Sequence, residues 1–186
     1  MKKLIYFLSL SCFFGFSQNQ VNLEDSSVKW TGVQLSGKTH YGTLAFESAD
    51  LNFSDEKLVG GNFVVDMTTL SVDDLTGRGK TSLEGHLKSN DFFSVNDFNF
   101  SELKLNAVDM VSENEYSAEG DLTIKGYTHE AKVSFQKEGG SKNMKAKLVF
   151  DRSKYNVRYG SGSFFENLGD KLILDDIELE VTLVIM

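Results

Sequence analysis

The chain has 186 residues, 40% of them hydrophobic and 25% charged, a globular balance that excludes a disordered protein. Its length suits one domain, and 19 Lys+Arg against 27 Asp+Glu disfavour nucleic acid, which needs clustered cations to neutralise phosphates. Proline is absent, which excludes Pro-rich linkers; 16 Gly and 15 Phe suit short strands, tight turns and a large apolar interior.

Residues 1–17 read as a cleaved signal peptide. Lys2 and Lys3 form a basic start, and residues 4–16 are almost all apolar. Gly15-Phe16-Ser17 then offers small residues at a cleavage site. The apolar run of about 13 residues is too short for a bilayer span, which needs roughly 20. The expected mature domain is 18–186, exported to the periplasm or secreted. Cys12, the sole cysteine, falls inside this segment, and acylation there is disfavoured because Ser9 stands where a lipoprotein signal wants a Leu-like residue. The mature chain then has no thiol, hence no disulfide and no Cys-based metal site.

Beyond Gln18 the dominant period is two. Val28 and Trp30 share a face, as do Leu44 and Phe46, and then Phe63, Val65 and Met67. Tyr116, Ala118, Leu122 and Ile124 follow the same pattern, then Met144, Ala146, Leu148 and Phe150. The last run is Ile177, Leu179, Val181, Leu183 and Ile185. Such alternation marks antiparallel strands with one wet and one buried face. Turn signals stand at Gly37-Lys38, Gly60-Gly61-Asn62, Ser112-Glu113-Asn114, Gly139-Gly140-Ser141 and Gly160-Ser161-Gly162. Two capping boxes, Thr81 with Glu84 and Ser163 with Glu166, predict two short helices. The fold class is all-β: a barrel or sandwich of about eight strands with one or two short helices, and the excess of Phe favours a barrel.

Familiar catalytic patterns are missing. His40, His86 and His129 lack a second His at metal spacing, and Val133 replaces the last His of an H-E-x-x-H motif begun by His129-Glu130. Gly79-Lys80-Thr81 ends like a phosphate loop, but Asp74 occupies the place of its first Gly, so a flexible loop is expected there. Asp73-Asp74 and Asp175-Asp176 read as solvated acidic turns. No metal, cofactor or catalytic residue is assigned.

Several segments do form an ordered set. These are His40-Tyr41-Gly42, Gly61-Asn62-Phe63-Val64-Val65-Asp66, and Leu87-Lys88-Ser89-Asn90-Asp91-Phe92-Phe93 preceded by His86. Gly120-Asp121-Leu122-Thr123-Ile124-Lys125-Gly126-Tyr127-Thr128 and Asp151-Arg152 follow in order. From Trp30 to the C-terminus the sequence thereby resembles the YceI family of lipid- or polyisoprenoid-binding, lipocalin-like proteins. It departs from the family at Phe98-Asn99, where an aromatic and a proline are usual. The resemblance implies an extended antiparallel eight-stranded barrel, covered by a helix and holding a long apolar chain. It also implies an exported, non-enzymatic binding protein for a polyisoprenoid, isoprenoid quinone or fatty-acid derivative.

Eleven Phe lie beyond Phe16, enough to line such a tunnel or to fill a closed core. The expected tunnel draws on Trp30, Leu44, Phe46, Phe63, Val65 and Met67 from the first half of the chain. Leu87, Phe92, Phe93, Phe98 and Phe100 come from the lid region, with segment 83–93 as the lid. Leu122, Leu148, Phe150 and Tyr155 complete it. The expected head-group contacts are His40, His86 and Arg152, with Arg152 held by Asp151 or Asp91. A homodimer stays open. So do two other classes: an enzyme acting on lipid heads, which needs a His and a carboxylate meeting at the cavity mouth, and a closed domain binding sugar or protein.

Overall fold

The computed structural model describes residues 16–141 and 143–186. Among them, nine strands form one antiparallel sheet: β1 (Phe16–Gln20), β2 (Ser27–Gln34), β3 (Thr39–Ser54), β4 (Lys57–Asp66), β5 (Phe100–Ser112), β6 (Glu115–Ile124), β7 (Tyr127–Lys137), β8 (Met144–Asp151) and β9 (Ile173–Leu183). Strands β2 to β9 close into an eight-stranded barrel, because β9 pairs with β2 and β3 pairs with both β2 and β4. Full closure leaves the barrel strands no free edge. β3 is long enough to do two jobs. Its first part pairs with β2, and its last five residues pair with β1. The signal-peptide reading falls, for residues 1–15, outside the described residues. A cut after Ser17 leaves Gln18, Asn19 and Gln20 paired with Asn52, Leu51 and Asp50.

The period-two reading gives the inward face directly. Tyr116, Ala118, Leu122 and Ile124 are all buried, and so are Met144, Ala146, Leu148 and Phe150. One turn signal was misplaced. Gly60 and Gly61 lie inside β4, and the β3–β4 turn is made by Asp55 and Glu56, both at positive φ. Gly61 is required by packing instead: a Cβ there would sit 2.8 Å from the Asp50 carbonyl oxygen and 3.2 Å from the Phe63 ring.

The connections sort by end. The β3–β4 and β5–β6 turns and the β7–β8 connection close one end. The short β2–β3 and β6–β7 turns and the two long connections, 67–99 and 152–172, lie at the other. The first carries α1 (Gly77–Lys88), the single α-helix among the described residues. It begins earlier than its expected cap. Thr81 lies within the helix and donates to Gly77 O at 3.3 Å, so Gly79-Lys80-Thr81 is helix rather than flexible loop. The second expected helix is not formed. Residues around Ser163 and Glu166 are turns, followed by one 3-10 turn over Gly169–Lys171. The reason is tertiary: Ser163 Oγ donates to Asp175 instead of capping a helix, and Phe164 and Phe165 stay exposed.

Arg152 organises the second long connection. Its side chain is 0% exposed. Nε donates to Leu174 O, Nη1 to Val157 O and Tyr159 O, and Nη2 to Ile173 O, all at 2.9–3.2 Å. The nearby carboxylate is Asp175, 3.2 Å from Nη2, rather than Asp151 or Asp91. Asp151 instead accepts from Ser153 N and Oγ and starts the 3-10 turn Arg152–Tyr155. Lys125 then joins the two covers, donating to Phe92 O at 2.8 Å and Asn156 O at 3.3 Å. Burial, and then the Arg158 charge, pull the Lys125 pKa down, partly offset by Asp91.

Tyr155 follows this clamp, almost fully buried. Burial and then the Asp151 charge push its phenol up to about 12. A raised folded pKa means stability is complete below the unfolded value near 10 and is lost as pH rises through about 12. Native stability should therefore fall by about 1.4 kcal/mol per pH unit between pH 10 and 12. Urea midpoints of the wild type and Tyr155→Phe, compared at pH 9 and 11, isolate this loss: the Phe variant should lack it.

Candidate functional site

Under α1 the barrel is hollow. The cavity holds about 520 Å³ and is walled by inward residues of the barrel strands. α1 supplies its roof with Gly79, Ser82, Leu83, His86 and Leu87, positions spaced as one helical face. Val72 N donates to Glu84 at 2.9 Å, and Lys80 sits 3.5 Å from Glu84 and 3.7 Å from Asp73, so the helix is pinned to the loop before it. After Lys88 the chain reverses. Phe93 N donates to Leu87 O and Val95 N to Lys88 O, which swings Phe92 and Phe93 under the roof. Phe92 is a hub there, 5.2 Å from the Phe93 ring, 5.7 Å from His86 and 5.4 Å from the Arg152 guanidinium.

The rim beside β2 and β3 is equally constrained. Trp30 Nε1 donates to Ser71 O at 3.0 Å. A Cβ on Gly42 would sit 1.8 Å from that same carbonyl oxygen, so only glycine allows the loop to lie there. His40 Nδ1 bonds Asp74 Oδ2 at 2.7 Å, and Tyr41 N donates to Asp74 Oδ1 at 3.0 Å. Burial alone would raise the Asp74 pKa. The hydrogen bonds from Tyr41 N–H and His40, with the His40 charge, outweigh burial and hold it below the usual range.

Twelve of the fifteen tunnel residues expected from the sequence border this cavity: Trp30, Leu44, Phe46, Phe63, Val65, Met67, Leu87, Phe92, Phe93, Leu122, Leu148 and Phe150. Three do not. Phe100 is on the outward parity of β5, whose inward positions are Ser101, Leu103 and Leu105, and it is 48% exposed. Phe98 is 37% exposed and covers Gly126 from outside. Tyr155 is buried behind the wall, edge-on to Phe150 at 5.6 Å and His129 at 5.2 Å. Of the head-group candidates, His40 and His86 border the cavity and Arg152 does not. Arg152 is a clamp with its donors spent on carbonyls, so the head-group reading of that residue is withdrawn.

The expected tunnel left out the deep apolar wall of Val133 and Phe135 on β7, and Ala146 on β8, which was read as inward but not as lining. The alternating pattern across Ala131, Val133 and Phe135 could have supplied it. It also missed Gly79, Ser82 and Tyr159, whose small or exposed character carries no apolar signal.

One polar atom of the roof helix stands apart. His86 Nε2 is buried and has no hydrogen-bond partner among the described residues. Its ring is held edge-on to Tyr159 at 4.3 Å. A buried imidazole nitrogen without a partner costs free energy that a bound polar group can recover. Lys38 is the single Lys or Arg on the lining among the described residues.

A small closed barrel with a hollow apolar interior and a helical lid is thus the class that the fold and cavity define. The chain belongs to the YceI-like domain family, whose model matches residues 20–185. Among solved structures, BcnA of Burkholderia cenocepacia is similar at a TM-score of 0.66 and 20% identity, covering 88% of this chain and 98% of that one. A polyisoprenoid-binding domain from Saccharophagus degradans implicated in plant cell wall breakdown matches at 0.57 and 11%, over 92% and 97%. A Campylobacter jejuni YceI protein matches at 0.55 and 13%, over 100% and 91%. At these identities the likenesses carry the fold. No curated protein matches the chain.

Proposed function

We propose that the protein is an exported, non-catalytic carrier or store for one long apolar molecule. The tail lies in the barrel, and a neutral hydrogen-bonding head meets His86. The observation that carries this is the apolar cavity of about 520 Å³ with the unpartnered His86 Nε2 in its roof. Each enclosed chain carbon gains roughly 0.8 kcal/mol before association costs, so tight binding needs few polar contacts. Membership of the YceI-like family and the polyisoprenoid-binding relative support an isoprenoid tail. The scarcity of cations on the lining favours an alcohol, phenol, quinone or amide head over a diphosphate.

Thermal melts of solvent-extracted protein test this. A prenyl alcohol at about 100 times its dissociation constant should add about 2.7 kcal/mol of stability. Identical melts with and without prenyl and acyl chains would reject the reading.

The enzyme reading gains one observation, the His40–Asp74 pair at the cavity rim. A carboxylate on Nδ1 is how a general base is oriented. In this chain the same carboxylate also accepts from Tyr41 N and so staples the 67–99 cover to β3. The carrier reading expects acyl and prenyl esters to bind and be recovered intact; ester cleavage lost in His40→Ala would favour the enzyme.

A further inference from the structure

The barrel is hollow for only part of its length. Phe46 and Phe63 meet at 6.3 Å between ring centroids, and Phe63 stacks on Phe135 at 6.3 Å and 27°. Phe63 is on β4 and Phe135 on β7, with β5 and β6 between them in the sheet, so the stacked pair spans the lumen. Both rings border the cavity. Beyond them Leu51, Leu58, Tyr116 and Met144 are buried and none borders it. That half of the barrel is filled by side chains. The cavity thus has a roof at His86 and an aromatic floor.

We propose that the Phe63–Phe135 pair is a ruler that sets the length of chain the barrel accepts. The inference rests on the proposed apolar-chain ligand and names its size. A chain carbon needs about the room of a water, roughly 30 Å³. The cavity of about 520 Å³ therefore encloses roughly 15–20 carbons, three to four isoprene units. A longer chain anchored at His86 meets the floor, and its further carbons gain no burial.

The floor can be moved in both directions. Phe135→Ala removes six ring carbons, about one isoprene unit of room. Ala146→Leu adds bulk beside the floor, because Ala146 pairs with Phe135 in register and borders the cavity. Dissociation constants of solvent-extracted protein for all-trans prenyl alcohols of two, three, four, six and eight units test the proposal. The readout is the fluorescence of Trp30, the only tryptophan, which borders the cavity. In the wild type, affinity should rise about tenfold or more per unit up to three or four units, then level or fall. Phe135→Ala should move the levelling point to a longer chain, and Ala146→Leu to a shorter one.

Affinity still climbing from four to eight units in the wild type overturns the ruler while leaving the carrier reading intact. A levelling point unmoved in whichever variants melt cooperatively also overturns it. Failure of every chain length to bind removes the carrier reading and the ruler together.

Discussion

Replacing Arg152 with Ala should lower the urea midpoint of unfolding by an amount worth about 3–5 kcal/mol, the range for breaking a buried charge cluster by removing one partner. The loss has two parts. Four carbonyl oxygens, of Val157, Tyr159, Ile173 and Leu174, lose a donor whose side chain is itself fully buried. Asp175 loses the guanidinium 3.2 Å from its Oδ1, which has no other partner among the described residues, and keeps only Ser161 and Ser163 on its other oxygen. Arg152→Lys should rescue little, because a point charge cannot reach four carbonyls that a planar fork reaches together. An unchanged midpoint in Arg152→Ala would contradict the clamp and return Arg152 to consideration as a ligand contact.

Leu148→Trp should weaken chain binding by about a hundredfold or more without destabilising the empty protein. Leu148 borders the cavity and pairs with Val133 and Leu179, which border it too. An indole there projects into free volume. Denying four chain carbons their place costs about 3 kcal/mol at roughly 0.8 per carbon, or more than two decades of affinity. A solid core would respond differently, since overpacking costs about 1–3 kcal/mol of stability. Lys145→Gln, on the wet face of the same strand, should change neither property. A destabilised Leu148→Trp that binds as the wild type does would mean that the interior is not the binding site.

The barrel was legible because side-chain parity along a strand follows directly from residue order. Where the alternation was used, as in residues 144–150, the residues read as inward are buried. Parity also explains the failures. Phe100 belongs to a strand whose inward positions begin with Ser101, so aromatic character alone gave the wrong side. Phe98 lies in the approach to that strand, where no alternation exists to read. Arg152 was recognised as needing partners, but they are backbone carbonyls 5 to 22 residues away, and carbonyls have no sequence signature. The second helix failed because Ser163 Oγ is taken by Asp175, a partner 12 residues away that carries no local signal. The cavity itself was undecidable from composition: Phe92 and Phe93 line its roof, while Phe63 and Phe135 stack across the lumen and end it.

The most direct test of the central claim is the native mass of the full chain purified gently from its host, before and after organic extraction. The account predicts one adduct per chain, released by solvent and identified as a single apolar molecule with a tail of roughly 15–20 carbons and a neutral polar head. The stripped mass should begin near Gln18, as export with cleavage requires. A protein that carries no apolar adduct, and takes none up when mixed with prenyl or acyl chains, would contradict the account.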